Sequence, residues 1–386
     1  MPQKKKGCLP MRFAALVASV AIIGSYGSRA SQQGSAGVSA PSECMDGYGA
    51  PQLVNAPAAR NPLEKSSNQH YEHGLDLYSS GDRSGAEQEF RKAVEERPTD
   101  GQFVASLAKL YVAESQANPA LEVIRSYTKV CGATALGYAL EAEVLFQQRH
   151  YNDAMGAIIA SLKLYPDNAR MHQLLGLLLI MERDYTDAST ELQKAEQLDP
   201  NDADIRYYYG RALYLGGHDA EARDQFLACL KNDPQYRKAL ENVGLSYQAI
   251  NDYGNAAKYF QQAMEREKTE NVKHGEPFGY YGAMLMETGQ PKQALPILQE
   301  GIAASPRSLV VNFELGRVLF ALGQPQQAQH FLEVAENLNP EYAQTHYLLG
   351  RIYNQQKRAK DAEQEFKKFQ DLDKNPANRE FPITDR

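Results

Sequence analysis

The sequence predicts an all-α solenoid of stacked antiparallel helix pairs, and three observations carry that reading. Ala86, Ala120, Ala154, Ala188, Ala222 and Ala256 stand 34 residues apart, and after one step of 38 the interval resumes at Ala294, Ala328 and Ala362. Twelve residues before each alanine stands a small residue: Gly74, Ala108, Ala142, Gly176, Gly210, Gly244, Gly282, Gly316 or Gly350. Twelve after it a proline often follows, as at Pro98, Pro166, Pro200, Pro234, Pro306 and Pro340. A fixed interval of this length marks stacked supersecondary units. It commits most of the chain to architecture and leaves little room for an enzyme.

Each unit reads as two helices. In the first, the small residue and a Leu or Tyr three positions on, such as Leu77, Leu179 or Tyr247, share a face. In the second, the alanine and a large apolar residue four on do the same, as with Phe90, Ile124, Leu192 and Phe226. Small residues on the facing stripes let the two backbones approach. Proline cannot continue a helix interior and ends the second helix. Asp and Asn beside it, as in Leu198-Asp199-Pro200-Asn201-Asp202, cap the next helix.

This pattern resembles the tetratricopeptide repeat family, whose signature runs aromatic, Leu-Gly, Tyr, Ala, Phe and Pro. Repeat four carries Leu175-Gly176, Leu179, Tyr185, Ala188, Leu192, Ala195 and Pro200. The resemblance implies a right-handed superhelix of about nine repeats, at 67–100, 101–134, 135–168, 169–202, 203–236, 237–270, 275–308, 309–342 and 343–376. The family's tryptophan is absent, and His70, His172 and His346 occupy three of its slots. Repeat two has Gly132 where proline is expected, and repeat three has Glu141 on its core-side stripe. Four extra residues fall within Lys268–Glu276, as a further helical turn, a longer loop or a bump specific to a partner.

The first thirty residues read as a secretory signal. Lys4, Lys5, Lys6 and Arg12 precede an apolar run from Phe13 to Gly24, and Ser28-Arg29-Ala30 offers small residues for cleavage. The alternative is an uncleaved anchor that tethers the same domain on the same side. Removing five basic residues would take the formal charge from −7 to −12. An acidic exported chain argues against nonspecific nucleic-acid binding. Residues 31–66 read as a flexible linker and 377–386 as a C-terminal tail. The expected location is periplasmic or secreted, within a bacterial envelope. Cys229 reads as a small buried hydrophobe. An exported location permits a Cys44–Cys131 disulfide, although no spacing supports that pair.

No phosphate-binding loop, nucleophile elbow or His-Glu-x-x-His motif is present. No catalytic, cofactor or metal residue is therefore assigned. His70 and His73 could share a metal, but His70 holds a packing slot between helices. The acidic residues are scattered and read as solvated outer faces.

Function is then expected from surface shape. The resemblance places the first helices on the concave face. Positions 4, 8 and 11 of each repeat feed the core, and positions 5, 9 and 12 follow the same spacing toward the groove. They supply Tyr71 and Tyr78, Lys109, Phe146, Tyr207, Arg211 and Tyr214, Phe313, Arg317 and Phe320, and Tyr347 and Arg351. Aromatic rings flanking a planar cation can hold an extended peptide. The competing role for the same residues is packing, with each Arg paired or stacked within its own array. The expected function is an exported, non-catalytic scaffold that binds a protein segment and helps to assemble or hold an envelope or secreted complex. A carbohydrate-handling module and an enzyme with an unrecognised groove site are the alternatives. The last helix, with Ala362, Phe366 and Phe369 inward, is expected to cap the stack, and the first helix to fray.

Overall fold

The computed structural model describes residues 68–270, 274–375 and 378, and these form helices and turns without a strand. Eighteen helices, α1 to α18, stack as nine antiparallel pairs. The pairs are α1 Gln69–Ser80 with α2 Arg83–Glu96, α3 Gly101–Ala113 with α4 Ala117–Cys131, and α5 Ala135–Gln147 with α6 Tyr151–Leu164. Then come α7 Ala169–Met181 with α8 Tyr185–Leu198, α9 Ala203–Leu215 with α10 Asp219–Asn232, and α11 Arg237–Ala249 with α12 Tyr253–Glu270. The last three are α13 Glu276–Glu287 with α14 Pro291–Ala304, α15 Leu309–Ala321 with α16 Pro325–Leu338, and α17 Ala343–Gln355 with α18 Ala359–Leu372. Most first helices also pack on the next first helix, as the stacking of repeat units requires.

Local chemistry fixes the ends of these helices. Asn68, Asp100, Thr134, Asn168, Asp202 and Ser308 each accept a backbone N–H in the first turn of their helix. Every first helix ends in the same way. The fifteenth residue of each repeat is left-handed: Gly81, Gly217, Gly289 and Gly323, but also Ser115, Arg149, Arg183, Asn251 and Lys357. The N–H that follows returns to a carbonyl five residues back, as from Asp184 to Leu179 at 2.9 Å. This is the Schellman closure, and it sets the tight reversal into the second helix.

Within each pair, one small and one large residue set the helix separation. A Cβ on Gly176 would lie 2.5 Å from Leu192, and one on Gly244 2.6 Å from Phe260. Repeats two and three carry Ala108 and Ala142 at this place, and there the facing residues are the β-branched Ile124 and Ile158. All four are buried.

A polar clamp ties one pair to the next. His172 Nε2 lies 2.7 Å from the Pro166 carbonyl oxygen and its Nδ1 lies 2.6 Å from Glu191 Oε2. His346 repeats this with Pro340 at 2.8 Å and Glu365 at 2.7 Å. Arg206 and Asn312, at the same place in repeats five and eight, donate to the carbonyls of Pro200 and Pro306. In the first repeat His70 Nδ1 lies 2.6 Å from Glu89, and His73 Nδ1 lies 3.6 Å from the same carboxylate.

The four extra residues lengthen α12, which has 18 residues where α10 and α14 have 14. Glu267, 2% exposed, accepts the Gly275 N–H at 3.1 Å and closes this segment. Glu141 is only half-buried; the carboxylate that enters the stack is Glu143, two residues on. Gly132 is left-handed and ends α4 without proline. Cys229 is free and buried, and burial pushes its thiol up to about 12. Cys131 is disulfide-bonded. Cys44, the expected N-terminal signal and the expected linker lie outside the described residues. Among the described residues, no helix is long and apolar enough to cross a membrane.

Candidate functional site

The concave stripe divides into three zones. In repeats two to four it is a buried charge ladder. Lys109 is buried beside Glu143, with burial pulling its ammonium down and Glu143 opposing that shift. Arg170 Nε lies 4.0 Å from Glu143, and Arg170 donates to Gln173 at 2.6 Å.

Three rings expected to face the groove pack between repeats instead. Tyr71 is 1% exposed and stacks on Phe103 at 4.5 Å, Tyr207 is 3% exposed with Tyr236 at 4.9 Å, and Phe313 is 4% exposed against Tyr342 at 5.0 Å. Position 5 adjoins the core stripe, so the residue that opens the next pair covers it. Arg211, also buried, stacks over Tyr207 and Tyr208 at 5.8 and 5.9 Å. Arg317 pairs with Glu314 at 2.7 Å and donates to the Ala283 carbonyl at 3.4 Å. Tyr78, Phe146 and Tyr214 are half-buried along the stripe, Phe146 edge-on to Tyr151 at 5.6 Å.

The third zone, at the C-terminal end, stays open. Tyr347 is 38% exposed and Arg351 is exposed. The guanidinium lies 5.0 Å from the Phe320 ring and 5.8 Å from Tyr347, so three of the expected residues meet here across two repeats. Both rings lie within cation–π reach of the exposed guanidinium, whose N–H fork suits a planar acceptor.

The middle zone holds a feature that the scattered-surface reading of the acids missed. Glu241, half-buried on α11, is raised to about 8 by burial and by Glu276 and Glu267. Glu276 is raised to about 7, by burial and then Glu267, and Glu267 is also raised by burial. Burial also raises Tyr280, which faces Glu241 and Glu276. Glu267 Oε1 and Glu276 Oε2 are buried without a hydrogen-bond partner. Glu314 is 2% exposed and raised to about 7, chiefly by burial. The stripe rule itself puts Glu241 at position 5 of repeat six. Glu267 and Glu276 reach it because of the lengthened α12. Among the described residues, one set of three potential metal donors converges, Glu336, His346 and Glu365.

Models of the tetratricopeptide repeat match residues 140–203, 179–242, 238–270, 285–338 and 313–378. No curated protein matches the chain significantly. Among solved structures, YrrB, described as a TPR protein with an unusual peptide-binding site, is 24% identical, with 46% of this chain and 92% of that one covered and a TM-score of 0.40. Pseudomonas aeruginosa pilF is 22% identical over 50% of this chain and 88% of its own, with a TM-score of 0.45. MamA from Desulfovibrio magneticus RS-1 is 18% identical over 44% and 96%, with a TM-score of 0.40. Each is a likeness of fold.

Proposed function

The chain belongs to the tetratricopeptide repeat family, a protein-interaction fold that is typically non-catalytic, and from that premise we propose that it is an exported scaffold gripping a protein segment in its concave face. The single observation that carries this reading is the exposed Arg351 guanidinium beside the rings of Phe320 and Tyr347. A planar cation beside aromatic rings suits a carboxylate or a backbone carbonyl of an extended segment. Export rests on the charged and apolar N-terminal run, and the envelope role rests on export. The raised carboxylates of the middle zone are assigned no reaction.

The test is site-specific photocrosslinking in the producing cell. Benzoylphenylalanine at Phe320 or Tyr347 should capture one protein that the same group at the outward-facing Gln364 does not. Adducts only from Gln364 would overturn the reading. With the captured segment in hand as a peptide, Arg351→Ala should weaken binding by about 1–2 kcal/mol and added salt should weaken it further. Loss on Tyr347→Ala with no salt response and no captured protein would move the assignment to a carbohydrate.

A further inference from the structure

Three helices from the last two repeats converge on one point. Glu336 comes from α16, His346 from α17 and Glu365 from α18. One donor atom from each lies within 4.8 Å of the other two. His346 Nδ1 is 2.7 Å from Glu365 Oε2 and 3.7 Å from Glu336 Oε1. The side chains are 2%, 10% and 26% exposed for His346, Glu365 and Glu336. The other ring nitrogen, Nε2, lies 2.8 Å from the Pro340 carbonyl oxygen. A carbonyl only accepts, so Nε2 carries a hydrogen; without an ion Nδ1 carries another, shared with Glu365, and releasing that proton on metal binding would turn the Nδ1 lone pair toward both carboxylates. The bond from Nε2 to the carbonyl is the outer contact by which proteins orient a metal-ligating imidazole.

We propose that Glu336, His346 and Glu365 bind a divalent transition ion across the joint between the eighth and ninth repeats. One nitrogen and two carboxylate oxygens form a three-ligand zinc set whose fourth position is left to water. Bonds of about 2.0–2.1 Å put tetrahedral donors about 3.3 Å apart. His346 and Glu365 therefore need to part by about half an ångström, Glu336 needs to close on His346 by about as much, and the two carboxylate oxygens, within 4.8 Å of each other, need to close by up to about 1.5 Å. A divalent charge balances the two carboxylates.

Lys368 stands in for that charge, its Nζ 2.9 Å from Glu336 Oε1 and 2.9 Å from Glu365 Oε1. Its side chain is 48% exposed, so it can swing into water as the ion enters. Repeat four has the same His–Glu–Lys arrangement in His172, Glu191 and Lys194. There the place of Glu336 in the preceding repeat is taken by Leu162, which offers no donor. Repeat four is therefore an internal control.

The experiment is calorimetric titration of zinc chloride alone into the untagged, chelator-treated full chain. We expect one saturable site in the micromolar range or tighter, a rise in the unfolding midpoint with zinc, and no response to magnesium. Glu336→Gln, whose side chain is partly exposed, should abolish the site while circular dichroism stays unchanged. Lys368→Gln should tighten binding about tenfold by removing the competing ammonium, and His172→Gln should leave it intact. Binding that survives Glu336→Gln, or no saturable heat in either the natural chain or Lys368→Gln, would overturn the proposal.

Discussion

Gly210 lies flat against the ring of Phe226, so close that a Cβ on Gly210 would stand 2.7 Å from Phe226 Cε1. The same fit recurs along the stack with the sizes exchanged, glycine opposite Phe or Leu and alanine opposite Ile. Helix separation is thus held constant by trading volume across one contact. Gly210→Ala should cost about 1–3 kcal/mol in urea unfolding. Adding Phe226→Ile should restore part of that loss. A double variant that loses the full sum of both single changes would refute the exchange.

Arg183 is left-handed with φ 64°, at the closing turn of α7. For an L-residue other than glycine this conformation costs about 1–2 kcal/mol, part of which glycine would return as backbone entropy. Arg183→Gly should therefore stabilise the chain, by about 0.5–1 kcal/mol, and Lys357→Gly likewise. Denaturant midpoints check this. A fall in both would show that the Arg and Lys stems contribute more than the strain costs.

The hydrogen bond from His172 holds the Glu191 carboxyl below its ordinary value, helped by Lys194 and opposed by burial. A depressed carboxyl adds stability above its unfolded value, about 4.3, and loses it as pH falls through the folded value. Glu191→Gln should be less stable than the natural chain by about 1–2 kcal/mol at pH 7, and the gap should close below about pH 4. Stability curves at stepped pH give the answer.

Glu241 runs the other way. Burial and the Glu276 and Glu267 charges raise it to about 8. A raised carboxyl favours the fold below its unfolded value and loses that advantage as pH climbs through the folded one. Glu241→Gln should therefore match the natural chain at pH 4 and be the more stable at pH 9. The gain should be on the order of 1–2 kcal/mol, after allowance for the solvent that reaches a half-buried group. Equal stability at pH 9 would place the carboxylate in open water.

Much of this fold is legible in one sequence because the size exchange and the alanine interval are steric demands repeated in each copy. The left-handed residue is less so. Glycine marks it at Gly81, Gly217, Gly289 and Gly323, but the backbone bends the same way at Arg149 and Asn251 with no compositional signal. The His–Glu clamp leaves a constant spacing of nineteen residues between His70 and Glu89, His172 and Glu191, and His346 and Glu365. The histidines are visible as occupants of a slot, but their partners lie on another helix, beyond the reach of helical periodicity. The groove is less legible still. Stripe geometry gives Tyr71, Tyr207 and Phe313 an inward direction without showing that the adjoining pair covers them. Only at the open end, with Tyr347 and Arg351, do direction and exposure coincide. The meeting of Glu241, Glu267 and Glu276 follows from the longer α12, whose path the spacing alone leaves undecided between turn and loop.

That longer helix and the Glu267–Gly275 latch also bear on ancestry. The other seams share one period, so slippage during replication can add or delete whole units there and still yield a chain that closes. A slip that crosses this latch would put everything downstream out of step. Descendants of the gene should differ in how many units lie before and after it, and the latch itself should persist as a fixed landmark in their lineage.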